Sequence, residues 1–418
     1  MPPPTQDDLL ALAERATELV GDTAQATAWW ERQLSAGPAG AVTTSGLSVE
    51  IAAVRDGRVG VVTTTEVDET GLARAAAGAW RLAASGPAAS GFPEPAAGRA
   101  HDGYDQSILS FDPADAGEAL GPWDAFRAAA ASTAIASTTG VRAAEDRSFV
   151  DLRVRRHDAS GRSLELSAAA VGPAGVDPAA LGAEAEALLA GTTESSPAAV
   201  APGEYPVVLG PWAVAEVLRR AALAFAGPRA PLAGRLGTRV AASCVNLSDS
   251  PRFAAQLPRS YDAEGAPRQP LPLIQDGVAH RLVEAGTGHA LAPGNTAGTA
   301  PEHLVLVGGG AADLAELAEP IEHGLLIPAL SVHGAWIIGR PGSALAEGVQ
   351  LIRGGRAAGP VPNLTVLFEP IELLARAQAL TARQRTIPPP IQRSARTAAA
   401  TVAPALRAGG GLHVAGAA

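Results

Sequence analysis

Apolar positions along the chain change their period several times, and each change marks an element. From Gln6 to Ser35, Leu9/Leu10, Leu12, Ala16 and Leu19/Val20 recur at three- and four-residue steps, which predicts a helix. Leu47–Arg55 and Arg58–Thr64 then alternate about Asp56-Gly57, a pair that tolerates the positive φ of a two-residue hairpin turn. Asp68–Ala84 reads as a second helix opening behind acids, Ser85–Ala100 as a Gly/Pro/Ala loop, and the alanine-rich Ala114–Ala134 as a third helix. Arg147–Arg156 and Ser163–Ala170 pair about Ser160-Gly161. The expectation for residues 1–190 is an α+β domain with an antiparallel sheet, an α/β sandwich in outline.

The stretch 191–203, GTTESSPAAVAPG, has no period and is read as a linker. Beyond it, residues 204–418 read as a mostly β domain with a few helices. Tyr205–Leu209 is a strand, and Pro211 opens a helix where its missing N–H costs nothing. Short strands follow at Arg239–Leu247, Leu273–Asp276, Val278–Val283, His303–Val307, Gly324–Leu330, Ala335–Ile338, Ala346–Arg353 and Leu364–Glu369, with Asp276-Gly277 as another hairpin turn. The tail Arg383–Arg407 is low in complexity, and only the segment from Gly411 to Gly416 is expected to be ordered there.

Composition narrows the chemistry. The chain has 418 residues, 47% apolar, enough for a core in each half. All 32 basic residues are arginine, which excludes a Schiff-base lysine and a Walker lysine. A single cysteine, Cys244, cannot form an internal disulfide and points to a reducing compartment. The acidic N-terminal stretch lacks a signal-peptide pattern, and the uncharged stretch Gly324–Gly339, broken by Pro328 and His333, is too short to span a membrane. A cytoplasmic location is expected. A net charge of -10 argues against nucleic acid as the main partner.

Metal and nucleophile templates fit poorly. No His-Glu dipeptide and no pair of histidines within five positions exists among the eight histidines, so each is expected to be an ordinary core or loop residue. No GxSxG elbow is present, and HLVLVGGGAAD does not complete a dinucleotide-binding glycine pattern, since position 313 is Asp. Asp262 and Glu264 in SYDAEG could serve as paired carboxylates, although a turn is the simpler expectation.

From residue 204 onward the order of segments resembles the TldD/PmbA family, and most its TldE (PmbA) branch. The matching pieces are EYPVVLGPWAVAEVLRRAALAFAG, GRLGTRVAASCVNLSDSP, SYDAEGAPRQPLPLIQDGVAHRLVEAGTGHAL, GNTAGTA, EHLVLVGGGAADLAEL, LAEGVQLIRGGRAAGPVPNLTV and the closing GLHVAGAA. The pattern DxEGxPxxxxxLIxxGV from Asp262 to Val278, taken with that ending, is the most distinctive. GRVGVVTTTEVDETGLARAAAGAWRLA in the first half resembles the family more loosely.

The resemblance implies a TldD/PmbA-like fold and a heterodimeric zinc metallopeptidase acting on small or unfolded peptides, including precursors of peptide-derived natural products. In that family the TldD-type subunit carries an HExxxH helix and the TldE-type subunit lacks it. Here the helix would fall on Val217–Ala224, and the two histidines and glutamate align on Arg219, Ala224 and Arg220, none of which binds a metal. The expectation is therefore a non-catalytic partner subunit without its own cofactor, zinc lying in the TldD-like chain. Tyr261, Asp262, Glu264, Gly265, His289 and His333 are candidate substrate- or partner-binding residues. A peptide is expected to add to a strand edge, with Gly324–Leu330 and Tyr261–Gly265 as the candidate segments. Two alternatives are an independent hydrolase using Asp262, Glu264, His280 or His289, and a homo-oligomeric binding or scaffold protein.

Overall fold

The structure, a computed structural model, describes all residues except 1–2, 113, 116–119, 123, 191–197, 228–229, 285–287, 291–299, 333–335 and 393. Helix α1 (Gln6–Val20) begins in a capping box: the Thr5 hydroxyl accepts from Asp8 N–H while the Asp8 carboxylate accepts from Thr5 N–H. It ends at Gly21, in the left-handed region at φ 72°, and not at Ser35 as its apolar period predicts. The residues beyond it form β1 (Ala24–Gly37), followed by β2 (Gly40–Arg55) and β3 (Arg58–Thr64). Asp56 and Gly57, at φ 52° and 70°, make the expected turn between β2 and β3. Helix α2 (Glu69–Ala83) is capped by Asp68.

The second departure is larger. Among the described residues of Ala114–Ala134, the part from Ala125 is not helical but belongs to β4 (Ala125–Ser137), which pairs with β1 and with β5 (Arg142–His157); β6 (Ser163–Ala170) completes a six-stranded antiparallel sheet in the order β3-β2-β1-β4-β5-β6. Alanine favours helix in isolation, but burial on both faces overrides that preference here. Ala26 and Ala28 lie opposite Ala136 and Ala134 and pack beneath Leu9, Ala13, Leu72 and Ala76 of the two helices. Farther along the same face of β4, Phe126, Ala128 and Ala130 join the main core, while Ala129 and Ala131 turn to the opposite face and pack with Leu257, Ala395 and Ala398. Small side chains let a helical layer sit close on the sheet. Helix α3 (Pro178–Ala190) follows.

Two further sheets form from residue 203 onward. One has ten strands, with Thr401–Ala408 in its interior between Val207–Leu209 and Leu304–Leu306, and with Ala377–Ile387 also paired to it. The low-complexity tail is thus a central strand. Pro404 can donate nothing to the ladder, and the pairing is irregular between Leu380 and Gln384, where Ala405 N–H goes to the Thr381 hydroxyl. The other sheet has five strands and contains Gly203–Glu204, Ala329–Ser331, Gly342–Glu347, Leu364–Phe368 and Leu412–Ala417. Helix α4 (Pro211–Ala222) packs between elements of both sheets. Short helices α5 (Leu314–Ala318) and α6 (Pro370–Ala375) follow, and the described residues form a mixed α+β architecture dominated by antiparallel sheet.

Several expected strands are shorter or broken. Arg239–Leu247 is mostly turn, because Val240 and Ala241 N–H both donate to Gly277 O at the Asp276-Gly277 turn instead of joining a ladder; the strand there is Leu247–Asp249. Val278–Val283 pairs as a strand only at Val278–Ala279. Pro328 splits Gly324–Leu330 between the two sheets, and Gly348, at φ 65°, splits Ala346–Arg353. Trp336–Ile338 is not a strand, and Ala335 lies outside the described residues. Residues 191–197 of the expected linker also lie outside them; Ala198 N–H already donates to Pro360 O.

Candidate functional site

Helix α4 presents Glu216, Arg219 and Arg220 at i, i+3 and i+4, a spacing that brings all three side chains to one face. Glu216 Oε1 accepts from Arg220 Nε and Nη2 at 3.0 and 2.6 Å, and Oε2 accepts from Arg219 Nη1 at 3.2 Å. Arg219 Nη2 also donates to the carbonyls of Ile387 and Pro388, and Arg153 donates to Pro389 O, so arginines hold the proline-rich segment Ile387–Ile391 against the helix. The Arg220 guanidinium lies 5.9 Å from the Trp336 ring centroid, within cation–π range. Burial pulls the Arg219 guanidinium below its ordinary value, with Arg153 and Arg220 adding to the effect against the opposing pull of Glu216.

Zinc does not fit these residues. A guanidinium has no lone pair to donate, Ala224 offers a methyl group, and both oxygens of Glu216 are already engaged. Glu216 was not evident as a partner when Arg219 and Arg220 were aligned on the zinc motif, although the i, i+3, i+4 spacing carries that signal. Among the described residues no group of three His, Cys, Asp or Glu side chains is arranged to hold a metal ion.

Three cavities run from this helix to the six-stranded sheet. The first, about 210 Å³, lies over α4 among Arg153, Glu165, Glu216, Arg219, Ser331 and Pro388. The second, about 540 Å³, shares Arg219 with it and extends past Glu302 and Ile391 to Gln392. The third, about 460 Å³, shares Gln392 and opens on β1, β2 and β4. Among the described residues the edge strand Ala329–Ser331 pairs on one side only, with Gly342–Glu347, and it borders the first cavity. His323–Ile327 has neighbours on both sides, Val207–Leu209 and Gln350–Arg353, so strand addition is ruled out on that part of Gly324–Leu330.

Asp262, Gly265 and Tyr261, among the other expected site residues, are engaged in holding the local backbone. Asp262 Oδ1 accepts from Glu264 N–H and Ala266 N–H, and Oδ2 accepts from Ala290 N–H, which closes the turn and leaves the carboxylate committed to backbone donors. Gly265 has φ 81°, and a Cβ there would lie 2.6 Å from Val141 Cγ1, so a side chain is excluded twice over. The Tyr261 hydroxyl accepts from Gly98 N–H, and Glu264 is buried. His280 is exposed. His333 lies outside the described residues.

His289 belongs to a sealed charge network. Its Nδ1 lies 2.9 Å from Asp249 Oδ2, and Asp249 also accepts from Arg268 Nη2 and from the N–H groups of Glu302 and His303. Arg268 and Arg259 reach Glu302 in turn. Burial opposes the charge on Asp249, but Arg268 and the His289 hydrogen bond outweigh it and hold the carboxyl well below the usual range. Burial and the neighbouring Arg268 push His303 well below its ordinary value, and neither ring nitrogen has a hydrogen-bond partner among the described residues. Next to the network, Arg147 of β5 donates to the carbonyls of Leu257, Pro258, Ala395, Arg396 and Ala398, and burial lowers its pKa to about 10. Glu145, two residues before it, accepts from Ser260 N–H and lies 3.1 Å from His101 Nε2. These groups join the six-stranded sheet to the segments around residues 257–260 and 395–398. No local pattern predicts them, since the partners are tens to hundreds of residues apart.

Comparison with known proteins follows the same outline. Residues 202–416, just over half of the chain, match the PmbA/TldA metallopeptidase C-terminal domain. No curated protein matches the chain significantly. A Thermotoga maritima protein described as a candidate modulator of a DNA gyrase has a similar structure, with a TM-score of 0.78 and 20% identity, over 98% of this chain and 99% of that one. TldE from Thermococcus kodakarensis gives a TM-score of 0.76 and 18% identity over 99% and 100%. A Bacteroides thetaiotaomicron protein, also described as a candidate modulator of DNA gyrase, gives 0.72 and 17% over 96% and 99%. At these identities the likeness concerns the fold. No described helix is long and apolar enough to cross a membrane. With its C-terminal half matching the family's metallopeptidase domain and its whole length following the family's fold, the chain belongs to the TldD/PmbA family.

Proposed function

We propose that this chain is the TldE-like, zinc-free partner subunit of a heterodimeric metallopeptidase, pairing with a TldD-like chain that bears HExxxH and helping to enclose a peptide substrate. The observation that carries this reading is the Glu216–Arg219–Arg220 cluster on α4, where ion pairs occupy the position that the resemblance assigns to the zinc helix. Two guanidiniums beside that position oppose a dication, and their carboxylate partner has no oxygen to spare. The adjoining cleft and the free edge of Ala329–Ser331 support a role in holding an extended peptide, whose main chain can extend the five-stranded sheet.

The committed geometry of Asp262 weighs against the independent-hydrolase alternative. Peptides processed into natural products are one class of substrate that this reading accommodates. The test is elemental analysis and peptide cleavage on the purified chain alone. The expected result is no stoichiometric zinc and no hydrolysis of unfolded peptides. About one zinc per chain together with chelator-sensitive cleavage would overturn the reading.

A further inference from the structure

The cavity farthest from α4 has features that the partner-subunit reading does not use. It lies on one face of the six-stranded sheet, where the pairing aligns Thr44, Gln33 and Ala129 in one cross-strand row and Val42, Ser35 and Arg127 in the next. Among the described residues, no acid lines it, and Arg127 is its one charged lining residue. Arg127 joins no ion pair among them; its Nη1 reaches only Gln392 O, at 3.4 Å. The next residue in its row, Asp151, is buried and takes a hydrogen bond from Arg153 instead. Gln392, from the other half of the chain, also lines the cavity. It is 5% exposed, and its Nε2 has no hydrogen-bond partner among the described residues.

An exposed guanidinium with no ion pair among the described residues and a buried amide donor with no hydrogen-bond partner among them, on one cavity, suit an acceptor-only, negatively charged ligand group. A carboxylate meets both demands, since its two oxygens accept from the amide and take a charge-assisted bond from the arginine. Val42, 59% exposed, and Phe149 offer apolar surface beside it for an adjoining side chain. We propose that this cavity binds a carboxylate of a peptide, with Arg127 and Gln392 Nε2 as its donors. Because the cavity joins the α4 cleft through Gln392, the site would anchor one end of an extended peptide; this inference rests on the peptide-handling reading above.

The test uses the full-length chain and three fluorescein-labelled hexapeptides of alanine and leucine, followed by fluorescence polarisation. One peptide ends in a free carboxylate, one in a carboxamide, and one in a carboxamide with a central aspartate. The free acid should bind at least about tenfold more tightly than the plain amide, and R127Q should abolish that difference. Q392L should weaken the free acid several-fold without lowering the thermal midpoint, since it removes a donor that is unpaired in the free protein. Tight binding of the aspartate peptide would support the site and assign the carboxylate to a side chain, and weak binding would assign it to the chain end. Equal affinity for all three, a preference that survives R127Q, or no saturable binding up to about 1 mM would overturn the proposal. Failure here leaves the subunit reading separately testable: if the chain co-elutes with an HExxxH-bearing partner and supports cleavage while binding acid and amide equally, only this site is wrong.

Discussion

Two clusters in this chain pair arginine with carboxylate and differ in setting. The Asp249–Arg268–His289 cluster is sealed: Arg268 and Asp249 have no exposed side-chain surface, His289 is buried, and backbone N–H groups fill the acceptor positions that the side chains leave, while Glu302 reaches Arg268 from the wall of the second cavity. The Glu216–Arg219–Arg220 cluster borders cavities, and its arginines remain 17% and 22% exposed. Charges sealed away from water are held by their partners and fix one arrangement of the backbone, whereas charges on a cleft remain within reach of a ligand. By this contrast the histidine-containing network holds the backbone in place, and the histidine-free helix faces the cleft that the proposed function uses.

The largest expected effect is on the sealed side. Asp249→Ala strips Arg268 and His289 of their shared acceptor and should cost about 3–5 kcal/mol of unfolding free energy. Urea denaturation measures it, and a cost below about 1 kcal/mol would erase the contrast.

Next comes pH. Burial holds folded His303 well below its ordinary value, while the unfolded chain titrates near about 6.5. Between those values the unfolded state binds more protons, so stability is fully present above the unfolded pKa and is lost as pH falls below it. The slope approaches about 1.4 kcal/mol per pH unit for the one proton. Denaturation from pH 7 to 5 should show this slope, and His303→Leu should flatten it.

Glu216→Gln, on the cleft side, keeps the shape but removes the charge shared by two arginines. About 1–3 kcal/mol is expected, toward the low end because both arginines remain partly solvated. Thermal unfolding would reveal a larger loss if this cluster were as sealed as the other. The smallest expected effect is none: Arg219→His combined with Arg220→Glu should yield no zinc-dependent cleavage, because the remaining ligand and the groups that would orient it are missing too. Hydrolysis by that purified double variant would show that the helix retains a latent zinc site.

Legibility in the sequence followed the locality of the interactions. The Asp56-Gly57 and Asp276-Gly277 turns, the Asp68 cap and the helix behind Pro211 depend on neighbours within a few positions, and all were readable. Ala125–Ser137 and Thr401–Ala408 were misread because alanine- and proline-bearing segments become central strands only through burial and partners distant in sequence. The site divides in the same way. Arg219 and Arg220 were legible through their alignment on a known motif, and Glu216 could have been found from helical spacing. Asp249, Arg268 and Arg147 carry no local signal at all, and His289 was singled out without its true partners.

The most direct test is co-expression of this chain with an HExxxH-bearing chain encoded beside it, followed by size exclusion, elemental analysis of the peak and a peptide-cleavage assay. The account predicts co-elution of both chains with about one zinc per pair and cleavage that requires both. A chain that elutes alone and hydrolyses peptides without its partner would contradict it.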